Sequence, residues 1–189
     1  DPSDPQGNTI DTVLAPGVPA GRRHAADRTL FASSSCGVCG KATIDRLLVE
    51  TKPIENPMVP TPKVLFGLPD SLRTHQAVFA QTGGLHAAAL FDIDGAMEVV
   101  REDIGRHNAV DKVIGWKLHR EEMPIEDRIL LVSGRAGFEI IQKALVARIS
   151  VVAAVGAPSS MAVQLAEESG MLIVGFLRDG RYNQYGRTR

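Results

Sequence analysis

Three short apolar runs near the carboxyl end limit the folds open to this chain more than any other feature. They are Ile129-Leu130-Leu131-Val132, Ser150-Val151-Val152-Ala153-Ala154-Val155 and Met171-Leu172-Ile173-Val174-Gly175-Phe176. Each has the length and apolar content of a buried strand. Between them lie segments of helical spacing. The first turns Phe138, Ile141 and Leu145 inward, and the second runs to Ser169, where Gly170 ends it. Strand, loop and helix alternating in this way predict a sheet, largely parallel in this half, with helices on both faces.

The pattern changes upstream. Residues 85–91 and 96–102 flank Asp92-Ile93-Asp94-Gly95, so they predict a β-hairpin. His86 falls on its first strand among alanines, the place of a structural histidine more than a catalytic one. Gly105-Arg106-His107-Asn108 opens a helix whose apolar stripe is Val110, Val113, Ile114 and Leu118. Before the hairpin, Pro69-Asp70 opens a helix reaching about Gln81, with Asp70 as its N-cap, and Thr82-Gly83-Gly84 stops it. Pro53, Pro57, Pro60 and Pro62 punctuate an arm that cannot be helical. Residues 9–14 alternate weakly as an edge strand would, and residues 16–24 read as a solvated basic loop. The chain thus divides into an N-terminal region, 1–81, and an α/β domain, 82–189.

Composition narrows the function. The 189 residues are 44% hydrophobic and 23% charged, enough for a real core, and the net charge of −1 argues against an electrostatic nucleic-acid binder. No apolar run reaches transmembrane length, and 2 cysteines do not make a disulfide scaffold. No signal peptide is expected, although the chain begins at Asp1 without Met. A soluble, cytoplasmic protein is expected, with no membrane association.

Ligands of mostly parallel sheets bind beyond the carboxyl ends of the strands, where loop amides and helix dipoles favour anions. Three loops meet that description. Ser133-Gly134-Arg135 offers a hydroxyl, a close-approach glycine and a guanidinium. Gly156-Ala157-Pro158-Ser159-Ser160 offers hydroxyls at a helix start. Residues 176–185 bring Arg178, Arg181, Tyr182 and Tyr185. Together they suit a large, phosphate-bearing, nucleotide-like ligand.

Both cysteines lie elsewhere, in Ser33-Ser34-Ser35-Cys36-Gly37-Val38-Cys39-Gly40-Lys41. Ile44, Leu47 and Leu48 follow at helical spacing, so the motif reads as a flexible loop running into a helix N-terminus. A free thiol titrates near pH ~8.5, and a helix N-terminus, a nearby Lys or a Cys-x-x-Cys partner lowers that to ~7 or below. Lys41 is such a neighbour. Structural zinc wants four ligands, and neither a second cysteine pair nor a suitably spaced histidine pair accompanies the motif. A structural disulfide across so small a loop is the other inert alternative. Redox or sulfur chemistry fits best.

Four blocks in order resemble one family. They are Ser34 to Lys41, Thr82-Gly83-Gly84-Leu85-His86-Ala87-Ala88, Glu102-Asp103-Ile104-Gly105-Arg106-His107-Asn108-Ala109-Val110-Asp111-Lys112, and Ser133-Gly134-Arg135. They are similar to the FdhD/NarQ family of formate dehydrogenase accessory sulfurtransferases, from about Thr9 to the end of the chain. Family members carry a further N-terminal segment that this sequence does not contain. The resemblance implies a sulfur relay. A cysteine desulfurase would load a persulfide onto Cys36, with Cys39 its partner. The sulfur would then pass to a molybdenum (or tungsten) bis(molybdopterin guanine dinucleotide) cofactor, the bound substrate, before insertion into formate dehydrogenase. Phe176, Leu177, Arg178, Asp179, Gly180 and Arg181 match the family's cofactor-binding segment. With Ser133, Gly134, Arg135 and Ser159 they are the expected binding residues, for which GDP should serve as a mimic. A homodimer is expected, and a dithiol–disulfide oxidoreductase is the alternative function.

The family is also similar in fold to cytidine deaminases, a three-layer αβα architecture with a mixed sheet. A deaminase places His-x-Glu at one helix start and Pro-Cys-x-x-Cys at the next. Here those places hold His107-Asn108-Ala109 and Gly134-Arg135-Ala136-Gly137, so the general acid/base and both thiol ligands are missing. No zinc and no deaminase activity are expected, and His107 is expected to bond a neighbouring loop.

Overall fold

The computed structural model describes residues 51–186 and, apart from them, Pro16. The expected strand at 9–14, the Cys36/Cys39 loop and the helix after it lie outside the described residues. Within these bounds the elements run α1 (Pro62–Thr74), α2 (Ala77–Thr82), β1 (His86–Phe91), β2 (Met97–Asp103), α3 (Arg106–Leu118), β3 (Ile129–Val132), α4 (Phe138–Val146), β4 (Val151–Ala154), α5 (Ser160–Ser169), β5 (Leu172–Arg178) and β6 (Arg181–Gly186).

The strands form one six-stranded sheet in the order β2-β1-β3-β4-β5-β6. β3, β4 and β5 are parallel, whereas β1 runs antiparallel to both β2 and β3, and β6 antiparallel to β5. The alternation of side chains across a strand then builds two cores. Ala88, Leu90, Leu130, Val132, Val152, Ala154 and Ile173 point to one face, against Val110 and Val113 of α3, Ile141 and Leu145 of α4, and Leu165 of α5. Ala87, Ala89, Phe91, Ile129, Leu131, Val151, Ala153 and Val174 point to the other, where α1 covers them with Leu65, Leu68 and Leu72. This is the expected three-layer arrangement. Burying each of those leucines contributes about 1.5–3 kcal/mol, and Leu68→Ala should cost about 2–5 kcal/mol.

The hairpin forms as expected. Asp92 Oδ1 accepts from the Asp94 and Ala96 amides at 3.0 and 2.8 Å, and Gly95 takes φ 87° to close the turn. The helix expected from Pro69 does not start there. It starts at Pro62, with Thr61 as the N-cap whose Oγ1 accepts from the Val64 amide at 3.3 Å. Pro62 lies in the first turn, where its missing N–H leaves no bond unmade. Pro69 is carried inside the helix, because the leucine stripe on either side of it holds α1 to the sheet. His75 caps α1, Gln76 interrupts the chain, and α2 follows as a separate helix.

Two more expectations need correction. Leu118 is 61% exposed, and Lys117 is buried in its stead, because β2 and the turn after α3 present Glu98 and Glu122 to it. The expected loop at 176–185 is the far end of β5 and the strand β6. Asp179 and Gly180, at φ 53° and 69°, make the tight turn between them. Positive φ at both central residues is the hairpin turn that an Asp-Gly pair favours.

Candidate functional site

β3, β4 and β5 all end at one edge of the sheet, and because β1 is antiparallel to β3, its first residue His86 lies at that same edge. The loops leaving the three strands are stitched together there. Gly156 N–H donates to Gly134 O at 3.0 Å, Phe176 N–H donates to Gly156 O at 3.0 Å, and Ser159 N–H donates to Ala136 O at 3.1 Å. The crossing is tight. A Cβ on Gly134 would come within 3.3 Å of His86 Nδ1, and one on Gly175 within 2.8 Å of Pro158 Cδ.

Beside this edge lies a cavity of about 560 Å³, within the usual range for small-molecule sites. One wall is the sheet edge, with His86, Ser133, Val155 and Leu177. A second is α1 and α2, with Asp70, Arg73, Gln76 and Phe79, continued by Gly83 and Gly84. Arg178 and Asp179 stand at the β5–β6 turn. Ser133 Oγ accepts from the Ala87 amide at 2.9 Å, which leaves its own proton free to donate into the cavity. Two guanidinium groups and one imidazole beside two carboxylates suit a ligand that combines phosphate with hydrogen-bond donors.

Ser133, Leu177, Arg178 and Asp179, expected from the sequence, line this cavity. Gly134 lies under His86, and Phe176 is half-buried at φ 56°, its amide held by Gly156. Ser159 caps α5, its Oγ accepting from the Ala162 amide at 3.2 Å. Arg135, Gly180 and Arg181 are exposed, and Arg181 faces Arg178 across the β5–β6 pair. None of these six positions is among the cavity's lining residues. Cys36 and Cys39 lie outside the described residues. Arg73, Phe79 and Gln76 were not anticipated as site residues, and Asp70 and His86 were anticipated only in structural roles. Asp70 and Arg73 share a face of α1 at i, i+3 spacing, a signal visible in the sequence once the helix is known to start at Pro62.

Away from the cavity, the start of α3 is firmly bonded. Asp103 Oδ1 accepts from the Gly105 amide at 2.9 Å and from Asn108 Nδ2 at 3.0 Å, while Lys112 Nζ lies 2.6 Å from its Oδ2. The bond from Lys112, with those from Gly105 and Asn108, lowers the Asp103 pKa to about 2. His107 meets a helix rather than the expected loop. Its Nε2 is 3.1 Å from Glu139 Oε2 in the first turn of α4, off line for a hydrogen bond. Burial, with the Arg106 charge beside it, holds that imidazole below its ordinary value. Among the described residues no three histidine, cysteine or acidic side chains are grouped as a metal site. No described helix is long and apolar enough to cross a membrane.

The sequence model of the FdhD/NarQ family matches residues 7–189. The sulfur carrier protein FdhD of Mycobacterium tuberculosis is 54% identical over 183 residues, 96% of this chain and 66% of the relative. That of Streptomyces coelicolor is 51% identical over 181 residues, 94% of this chain and 64% of the relative. The chain therefore spans a little under two thirds of either relative. The crystal structure of a protein described as a formate dehydrogenase accessory protein, from Desulfotalea psychrophila, matches with a TM-score of 0.66 at 27% identity. That match covers 75% of this chain and 60% of the other.

Proposed function

This chain belongs to the FdhD/NarQ family, and on that premise we propose that it is a sulfur carrier serving the maturation of formate dehydrogenase. The observation that carries the reading is the cavity at the carboxyl edge, where Arg73 and Arg178 face Ser133 and His86. It is a phosphate-compatible site in a chain whose 2 cysteines form a Cys-x-x-Cys motif. The names of the relatives, sulfur carrier protein and formate dehydrogenase accessory protein, point the same way.

The chemistry balances as follows. The Cys36 thiolate attacks the terminal sulfur of a persulfide on a cysteine desulfurase. A Cys36–S–SH bond forms, the donor's S–S bond breaks, and the donor leaves as a thiolate. Release as sulfide requires two electrons. Attack of the Cys39 thiolate on the inner sulfur of Cys36 supplies them, closing a Cys36–Cys39 disulfide and expelling HS⁻. Two equivalents of an external thiol then reduce the disulfide and leave as their own disulfide. The sulfide's destination is the bis(molybdopterin guanine dinucleotide) cofactor, molybdenum or tungsten, held as substrate. Arg73 and Arg178 bind its phosphates, and Ser133 donates a hydrogen bond to it. The protein acts in the cytoplasm as a homodimer.

Two measurements test this. Intact mass after incubation with a desulfurase and cysteine should show the gain of sulfur in the wild type and none in Cys36→Ala. In Cys39→Ala, which cannot expel the sulfide, the gain of sulfur should persist; no gain in that variant would mark a dithiol oxidoreductase instead. GDP titration by calorimetry should show Arg178→Ala weaker by about tenfold or more, the worth of one charge-assisted hydrogen bond. Unchanged affinity in that variant and in Arg73→Ala would put the ligand elsewhere.

A further inference from the structure

We infer that Glu102 is a positioning residue for the cleft: from edge strand β2 its carboxylate holds helix α2, and with it the wall at residues 79–84. The inference rests on the reading of the cleft as the ligand site. It concerns the Glu102–Lys112 block of the sequence, which the proposed chemistry leaves unused.

α2 has 6 residues, and none of them is buried. A helix so short does not persist by itself. Its N-cap residue, Gln76, makes no side-chain capping bond. The orphan amides of the first turn go instead to a residue far along the chain. Val78 N–H donates to Glu102 Oε2 at 2.9 Å and Phe79 N–H to Glu102 Oε1 at 2.8 Å. Both carboxylate oxygens are used, and the negative charge meets the positive end of the helix. Glu102 stands opposite Ala87 in the β1–β2 register, so its side chain rises on the α1 face of the sheet, where Ala87 also packs. Lys112 Nζ donates to the carbonyl of Glu102 at 3.1 Å, which ties the same residue to α3.

The remainder of the wall is bonded to itself. Thr82 Oγ1 donates to Val78 O at 3.0 Å, Gly83 N–H donates to Phe79 O at 2.7 Å, and Gly84 N–H donates to Thr82 Oγ1 at 3.3 Å. It therefore moves as one piece with its anchor. Gln76, Phe79, Gly83 and Gly84 of this piece line the cleft, so the side chain of Glu102 sets the cleft's width without touching a ligand.

The experiment uses the full chain and two readouts. Hydrogen exchange, followed peptide by peptide, should rise at least tenfold across residues 76–84 in Glu102→Ala and stay unchanged in β3 and β4. GDP affinity should fall tenfold or more. Glu102→Gln, which keeps one acceptor oxygen, should recover part of both effects. Unchanged exchange at 76–84 overturns the inference, as does exchange that rises equally in β3 and β4, the mark of general destabilisation. Loosened α2 with undiminished GDP affinity overturns it too. If the wild type binds no GDP, the functional reading fails, and the exchange pattern alone decides whether Glu102 anchors the wall.

Discussion

The amide of Gly156 donates to the carbonyl oxygen of Gly134 at 3.0 Å, and only glycine permits that crossing. A Cβ at position 156 would stand 2.9 Å from Gly134 O and 3.2 Å from Arg135 Cα, both backbone atoms that cannot swing away. Gly156→Ala should therefore pry the β3–α4 loop from the β4–α5 loop. The expected cost is about 1–3 kcal/mol, with weakened GDP binding, because Gly156 also holds the Phe176 amide. Urea unfolding and calorimetry measure the two effects, and wild-type values in both would show that the loops are not locked.

Lys117 Nζ lies 2.7 Å from both Glu98 Oε2 and Glu122 Oε2, with the side chain 9% exposed. Burial draws its pKa down, but the two carboxylates outweigh burial and leave it raised. Its stabilising share is therefore present at neutral pH and lost only as pH rises past its ordinary value of 10.5. Lys117→Ala leaves Glu98 with Arg128 alone and should cost about 1–3 kcal/mol in urea unfolding at an unchanged m value. Lys117→Met, which keeps the stem packed, should cost less than Lys117→Ala. A Lys117→Met variant as stable as the wild type would mean that the charge pair contributes nothing.

Asp103, lowered from 3.8 to about 2 chiefly by its bond to Lys112, stabilises the fold while ionised. Its folded value is depressed, so that contribution is complete above 3.8 and disappears as pH falls through about 2. Asp103→Asn should be less stable than the wild type at neutral pH, and its acid unfolding curve should be flatter in that window. Parallel curves for the two proteins, from about pH 5 downward, would contradict this.

His107 also loses stability toward acid, but because its folded state favours the neutral form. Burial and Arg106 lower its pKa from 6.5, while Glu139 and Asp111 attract the proton and Lys143 repels it. As pH drops below 6.5, the unfolded chain takes up a proton that the folded one resists, so stability declines. His107→Gln should flatten the decline just below that value. A thermal midpoint falling equally in both proteins would assign the decline to other groups.

The sequence by itself determined the alternating half of this protein. The runs at 129–132 and 150–155, the turn at Asp92–Gly95 and the stop at Gly170 carry local signals. Each is a matter of apolar length or of backbone freedom within a few residues, and no distant contact changes it. The β5–β6 hairpin carries a turn signal in Asp179-Gly180, but the arginines around it read as a binding loop, and only the pairing of β6 with β5 made it a strand. Only the tertiary structure decided the rest. Pro69 sits inside α1 because Leu65, Leu68 and Leu72 have a sheet to cover, and Lys117 is buried because Glu98 and Glu122 meet it. His86 joins the carboxyl edge because β1 runs against β3, a pairing between strands separated by a whole helix. Phe79 reaches the cleft on α2, whose first-turn amides bond Glu102 far along the chain, and Arg73 reaches it on α1, whose leucines cover the sheet. Periodicity records which face of an element is apolar. It does not record which partner covers that face, and the cleft is built from such partnerships.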